Sequence, residues 1–224
     1  MRTIVFDLDG TLADTSGDLI AAANFCFEHM GVGAQLDPAL DQSTAFHGGR
    51  AMLRLGLERL GRAGDEDEVS RQYPLLLQAY ADRIDVFTTL YDGAMDAVER
   101  FRAAGDRVTI CTNKPEGLAE TLLTRLGVRG AFDHLIGADT LPVCKPDPAP
   151  LRAAIEGAGG AIDRAVLIGD TNTDRQCAAN LGIPVVLVTF GPNGPTVADL
   201  NPEALISHYD ELDAVVDRLI PRAA

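Results

Sequence analysis

Ile4-Val5-Phe6-Asp7-Leu8-Asp9-Gly10-Thr11 reads as a buried strand that ends in two carboxylates and a glycine. Side chains alternate along a strand, so Asp7 and Asp9 leave the backbone on one side while Leu8 points away. Two anions held that close repel each other unless a cation or a shared proton relieves them. A purely structural strand end gains nothing from the arrangement, whereas a metal-assisted enzyme does.

The totals fit one large domain, or one core with a smaller insertion. The chain has 224 residues, 46% of them hydrophobic, enough for a substantial core without disulfides or structural metal. Nineteen Lys and Arg stand against 33 Asp and Glu, a net charge of −14. Neutralising phosphates needs surplus cations, so neither a nucleic acid nor an anionic membrane surface is an expected partner. Cys26, Cys111, Cys144 and Cys177 lie far apart without a CxxC pair, and are expected to be buried, reduced thiols. The first residues already carry a strand pattern rather than a signal peptide. No apolar run approaches the roughly 20 residues of a membrane span. The expectation is a soluble, cytoplasmic protein.

From about residue 91 onward, strands alternate with helix-like segments. Residues 106–111, 134–137, 165–169 and 184–188 read as strands. Helices are expected from Pro115 to Leu126, from Pro148, and from Thr173 to Leu181; Pro115 and Pro148 suit a first helical turn, where a missing N–H costs nothing. The alternation predicts right-handed βαβ units, a Rossmann-like parallel sheet with helices on both faces. Residues 16 to about 88 break this rhythm. Asp18 to Met30, Arg50 to Leu60 and Glu66 to Ile84 carry helical periodicity with no strand between them. The expected organisation is an α/β core of residues 1–14 and 90–224, with an all-helical cap, 15–89, inserted after the first strand. Hinges are expected near Asp14 and Asp92.

Ligands of a parallel sheet bind beyond the carboxyl ends of its strands. That edge collects Asp7 and Asp9 from the first strand, and Thr112, Asn113 and Lys114 after the second. It also receives Asp170 after residues 165–169, with Asp174 one turn into the next helix. Lys145 lies in the Cys144-Lys145-Pro146-Asp147-Pro148 loop. Carboxylates, a hydroxyl, an amide and a lysine thus converge on one edge.

These four stretches (Asp-Leu-Asp-Gly-Thr, Thr-Asn-Lys, Lys-Pro-Asp-Pro and Gly-Asp-x-x-x-Asp) resemble, in order, the four motifs of the haloacid dehalogenase superfamily. The insertion resembles that superfamily's small α-helical cap. The resemblance implies a Mg²⁺-dependent phosphomonoester hydrolase acting on a small phosphorylated metabolite. Asp7 is then the nucleophile that becomes an aspartyl-phosphate. The Asp7 side chain, the Asp9 carbonyl and Asp170 hold the metal. Asp9 also acts as general acid and base. Dehalogenases of this fold lack an aspartate there, since a halide leaves unprotonated, so Asp9 favours phosphoryl chemistry. Thr112 and Asn113 are expected on the phosphoryl oxygens, with Lys145 as fixed positive charge and Lys114 at longer range. Asp174 orients Lys145 or a metal-bound water; the alternative is a carboxylate serving only the helix dipole.

Specificity is expected from the insertion. In Phe46-His47-Gly48-Gly49-Arg50, Gly49 exposes backbone N–H at a helix start and Arg50 can fork onto a carboxylate. The alternative is a tight turn with a solvated arginine. A substrate with phosphate at one end and carboxylate at the other fits, and 2-phosphoglycolate matches that description. The Thr-Asn-Lys-Pro and Phe-x-Gly-Gly stretches are similar to those of bacterial members acting on phosphoglycolate. Pyrophosphate, a nucleotide or a sugar phosphate remain alternatives. So do a phosphosugar mutase, disfavoured because the cap's first helix opens Gly17-Asp18-Leu19-Ile20 with no histidine or lysine where the superfamily's mutases are expected to use one, and a non-catalytic partner-binding domain.

Overall fold

The computed structural model describes residues 1–222. The chain forms two compact units, one made of Met1–Ala13 with the chain from Leu90 onward, the other of Asp14–Thr89. Strand β1 (Thr3–Phe6) belongs to the first unit, and all four of its residues are buried. Two short strands, β2 (Ala13–Asp14) and β3 (Thr89–Leu90), carry the chain across the two crossings.

The second unit is helical: α1 (Ser16–His29), α2 (Gln42–Ala45), α3 (Gly49–Arg59) and α4 (Glu66–Asp82). Asp65 caps α4 by accepting from the Glu68 amide, and Glu66, Asp67 and Glu68 fill its first turn, where the dipole favours acids. Asp18 accepts from the Phe87 and Thr88 amides and the Thr88 hydroxyl, fastening the start of α1 to the end of the unit. The one-turn α2 went unanticipated because four residues carry no helical period.

The first unit continues with α5 (Ala94–Ala103), β4 (Arg107–Cys111), α6 (Glu116–Arg125), β5 (His134–Ile136), α7 (Pro148–Gly157) and β6 (Ala165–Gly169). Then come α8 (Asn172–Leu181), β7 (Val185–Val188), β8 (Ala204–Ile206) and α9 (Leu212–Leu219). The six strands run in the order β5-β4-β1-β6-β7-β8, every pair parallel. This is the expected doubly wound α/β sheet. Val5, Leu167 and Leu187 pack with Leu151, Ile155, Cys177 and Ala178 of α7 and α8 in one buried layer. Burial on both faces explains why the inner strands read as continuous apolar runs.

Three local readings need correction. Pro115 precedes α6 as its cap residue with an extended ψ of 136°, not as its first turn. The strand expected from Pro184 begins at Val185, since proline has no N–H for the ladder. Cys144 is exposed, while Cys26, Cys111 and Cys177 are buried free thiols as expected. No helix among the described residues is long and apolar enough to cross a membrane.

At the N-terminal edge of the sheet, opposite the motif-bearing ends, fully buried Arg2 pairs with Asp106 at 2.7 Å and also with Asp217. This clamp ties β1, β4 and α9 together and leaves the carboxyl edge free for chemistry.

Candidate active site

Strand β1 lies between β4 and β6, where the strand order reverses; ligands of open α/β sheets bind at such a point. The Asp7 amide still donates to the Ile168 carbonyl at 2.9 Å, so the ladder holds Asp7 in register with the end of β6. The chain then turns sharply, with the Leu12 and Ala13 amides donating to the Leu8 carbonyl. Gly10 sits in this turn at φ +80°, and a Cβ there would strike the Asp170 carboxylate. Only glycine meets both conditions without strain. Next to it, the Thr11 hydroxyl donates to Asp170 Oδ1 at 3.0 Å.

Asp7, Asp170 and Asp174 bring carboxylate oxygens within 4.8 Å of one another, all three buried. Their surroundings differ. Asp174 Oδ1 accepts from Lys145 Nζ at 2.7 Å, and Oδ2 accepts from the Thr171 hydroxyl and amide in a capping box at the start of α8. Both of its oxygens are therefore committed. Asp170 Oδ2 is buried with no hydrogen-bond partner. An orphaned carboxylate oxygen facing a second buried carboxylate is costly unless a cation completes it. Asp7 and Asp170 thus fit a divalent ion, while Asp174 serves the lysine.

Lys145 Nζ also lies 3.0 Å from Asp7 Oδ2. Burial pushes the Asp7 carboxyl up to about 7, against the pull of Lys145 and with added repulsion from Asp174 and Asp9. Burial, then Asp174 and Asp7, raise Asp170 well above the ordinary carboxylate range. Burial alone would lower the Lys145 ammonium, but Asp174 and Asp7 outweigh it and hold its pKa well above the usual lysine value. The lysine is a permanent cation. Burial also raises the thiols, Cys26 to about 11 and Cys177 to about 12, leaving them inert at neutral pH.

The Thr-Asn-Lys stretch makes contacts within the protein that its sequence did not announce. Asn113 faces the backbone of Lys145: its Nδ2 donates to the Lys145 carbonyl and its Oδ1 accepts from the Lys145 amide, each at 3.0 Å. It fixes the loop from which Lys145 projects. Thr112 is buried, and its hydroxyl oxygen accepts from the Lys114 amide at 3.1 Å. Lys114 reaches back to Asp9, Nζ to Oδ1 at 2.8 Å.

Gly49 and Arg50 belong to the helical unit. Gly48, at φ +90°, precedes α3 in a conformation that favours glycine, and Gly49 is the first residue of that helix. The exposed Arg50 guanidinium lies 4.3 Å from the centre of the Tyr73 ring.

Three supporting residues escaped the sequence reading. Thr11 stood in the quoted motif without a role. Asn193 Nδ2 donates to the Asp170 carbonyl at 3.1 Å, and the buried Tyr209 hydroxyl donates to the Thr11 carbonyl at 2.7 Å. The turn-rich Gly191-Pro192-Asn193-Gly194 stretch is the one local signal for the former. Nothing local marks Tyr209.

The doubly wound sheet gathers buried acids and a locked lysine at its switch point, and the protein's relatives make it an enzyme, a phosphatase. The chain belongs to the haloacid dehalogenase-like hydrolases, whose family pattern matches residues 4–188. It is 39% identical over 221 residues to a phosphoglycolate phosphatase of Mesorhizobium japonicum, covering 99% of this chain and 97% of the relative. A phosphoglycolate phosphatase of Rhodospirillum rubrum is 36% identical, with 94% and 89% covered. The same fold occurs in a crystal structure from Haemophilus somnus, described as a predicted phosphoglycolate phosphatase. It has a TM-score of 0.85 at 24% identity, with 96% and 97% of the two chains covered.

Proposed function

We propose that this enzyme hydrolyses 2-phosphoglycolate to glycolate and phosphate with Mg²⁺ as cofactor and Asp7 as nucleophile. The observation that carries the chemistry is the geometry around Asp7: Lys145 3.0 Å from one oxygen and the orphaned Asp170 Oδ2 in the same carboxylate cluster. The substrate rests on the names of the relatives, 39% and 36% identical over nearly the whole chain.

The cation would be held by the Asp7 and Asp170 carboxylates and the Asp9 carbonyl. When bound it supplies positive charge between nucleophile and phosphate, which otherwise repel. An Asp7 oxygen attacks phosphorus and the phosphorus–ester oxygen bond breaks, leaving the phosphoryl group on Asp7. Asp9 gives its proton to the departing glycolate oxygen. Asp9 then takes a proton from water as that water attacks phosphorus; the Asp7–phosphorus bond breaks and phosphate is released. Lys145, pinned by Asp174 and by Asn113 through its backbone, keeps its charge at the phosphoryl group throughout. Thr112 offers a hydroxyl to the same oxygens. Gly49 and Arg50 are the residues of the helical unit suited to an anionic group, by a helix-start amide and a guanidinium. Reduced thiols, including exposed Cys144, suit a cytoplasmic setting.

A panel of phosphate esters tests this reading. With Mg²⁺, kcat/KM for 2-phosphoglycolate should exceed that for sugar phosphates, nucleotides and pyrophosphate, and a chelator should abolish turnover. A flat ranking would reject the substrate; turnover indifferent to chelation would reject the cofactor.

A further inference from the structure

The core site holds two lysines in different settings. Lys145 is locked between Asp7 and Asp174. Lys114 makes an ion pair with Asp9, 2.8 Å from Nζ to Oδ1, and its side chain is only 3% exposed. An ammonium carries three N–H donors and can serve more than one acceptor at once. A buried ammonium is stabilised by each added anionic partner. The Lys114 backbone is fixed on both sides, its amide on the Thr112 hydroxyl and its carbonyl accepting from the Ala138 amide at 2.9 Å. The cation is therefore presented from a rigid turn and not from a mobile arm.

We infer that Lys114 reads the carboxylate of the substrate and is the specificity-determining residue of the core; this rests on the substrate reading above. The argument is one of reach. A proton donor lies about 3 Å from the oxygen it protonates, so the glycolate leaving oxygen comes to Asp9 at that distance. The carboxylate of 2-phosphoglycolate is one carbon beyond that oxygen. A cation 2.8 Å from Asp9 therefore stands where this carboxylate arrives, able to bridge it and Asp9 at once. Charge points the same way. Asp7, Asp170 and Asp174 form one cluster, Asp9 adds its charge beside Asp7, and the chain carries a net charge of −14. A substrate with a second anionic end needs local positive charge that Lys145 does not supply. A longer phosphate ester, or one ending in a hydroxyl, brings Lys114 no carboxylate at that distance.

The test compares 2-phosphoglycolate with ethyl phosphate, the same ester with a methyl group in place of the carboxylate. Losing Asp9's partner affects both substrates alike, so the ratio of their kcat/KM values isolates the carboxylate. The wild-type enzyme should favour 2-phosphoglycolate strongly. Lys114→Met should shrink that preference by about 10- to 100-fold, the range of a hydrogen bond to a charged group, mainly through KM for 2-phosphoglycolate. Lys114→Arg should retain much of the preference, and Lys114→Gln provides a polar replacement should the methionine variant not fold. A ratio unchanged in Lys114→Met or Lys114→Gln would overturn the inference while leaving the substrate reading intact, as would a preference lost in Arg50→Ala but kept in the Lys114 variants. A wild-type enzyme with no preference for the carboxylate would overturn the substrate reading itself.

Discussion

The Lys145 ammonium lies 3.0 Å from Asp7 Oδ2, so the first carboxylate of the chain has a counter-ion built into the fold. That counter-ion comes from a loop 138 residues away (145 − 7), and Asp174, 2.7 Å from the same nitrogen, holds it there. Replacing Asp174 by Asn keeps the shape and removes the charge. A buried pair broken on one side costs about 3–5 kcal/mol. Denaturant unfolding of Asp174→Asn should show a loss toward the lower end of that range, since Asp7 remains as a partner, and phosphate release should fall with it.

Asp170 should behave in the opposite sense. Its Oδ2 is buried and unpartnered, so the carboxylate is a liability in the metal-free protein. Asp170→Asn should raise the metal-free Tm and abolish the further rise that Mg²⁺ gives the wild-type protein. Thermal scans with Mg²⁺ and with a chelator provide both numbers. A variant that still gains stability from Mg²⁺ would remove Asp170 from the cation site.

The response to Mg²⁺ should depend on pH. Burial raises the folded Asp7 pKa to about 7, against about 3.9 in an unfolded chain. Between those values the folded form binds more protons than the unfolded one, so this group lowers stability as pH rises through the window. A bound cation needs the deprotonated form and reverses that loss. The Mg²⁺-induced shift in Tm should therefore be small near pH 5 and grow as pH rises through about 7, since Asp170, also raised by burial, must lose its proton as well. A shift constant across this range would contradict the protonation of Asp7.

How much of this was visible in the sequence follows from the range of the forces involved. Strands β1, β4 and β6 were legible because burial on both faces imposes unbroken apolar runs, and the polar residues after them stood out by contrast. The Asp7–Asp9 spacing gave their common side directly. Strand β8 was not legible: three residues at a sheet edge, with Leu205 exposed, establish no period. Nor were the partners of Asn113 and Lys114. A strand end places an amide and an ammonium at the edge, but whether they meet the Lys145 backbone or Asp9 depends on loop paths 32 and 105 residues away in sequence. The amide expected on the phosphoryl oxygens is also engaged by the Lys145 backbone, a demand that no local signal announces.

Gly10 offers a check on the turn itself. Its φ of +80° and the approach of the Asp170 carboxylate leave no room for a side chain. Gly10→Ala should cost about 1–3 kcal/mol from backbone strain alone and should also weaken the Mg²⁺ response, because Asp170 must move. A fully stable variant with normal metal response would mean that the turn tolerates displacement.

The central claim is that Asp7 takes the phosphoryl group, and phosphate release by Asp7→Asn at saturating Mg²⁺ and 2-phosphoglycolate tests it most directly. Loss of a nucleophile that forms a covalent intermediate should lower kcat by at least about 10³-fold with the fold intact. A folded Asp7→Asn protein turning over within tenfold of wild type would contradict it.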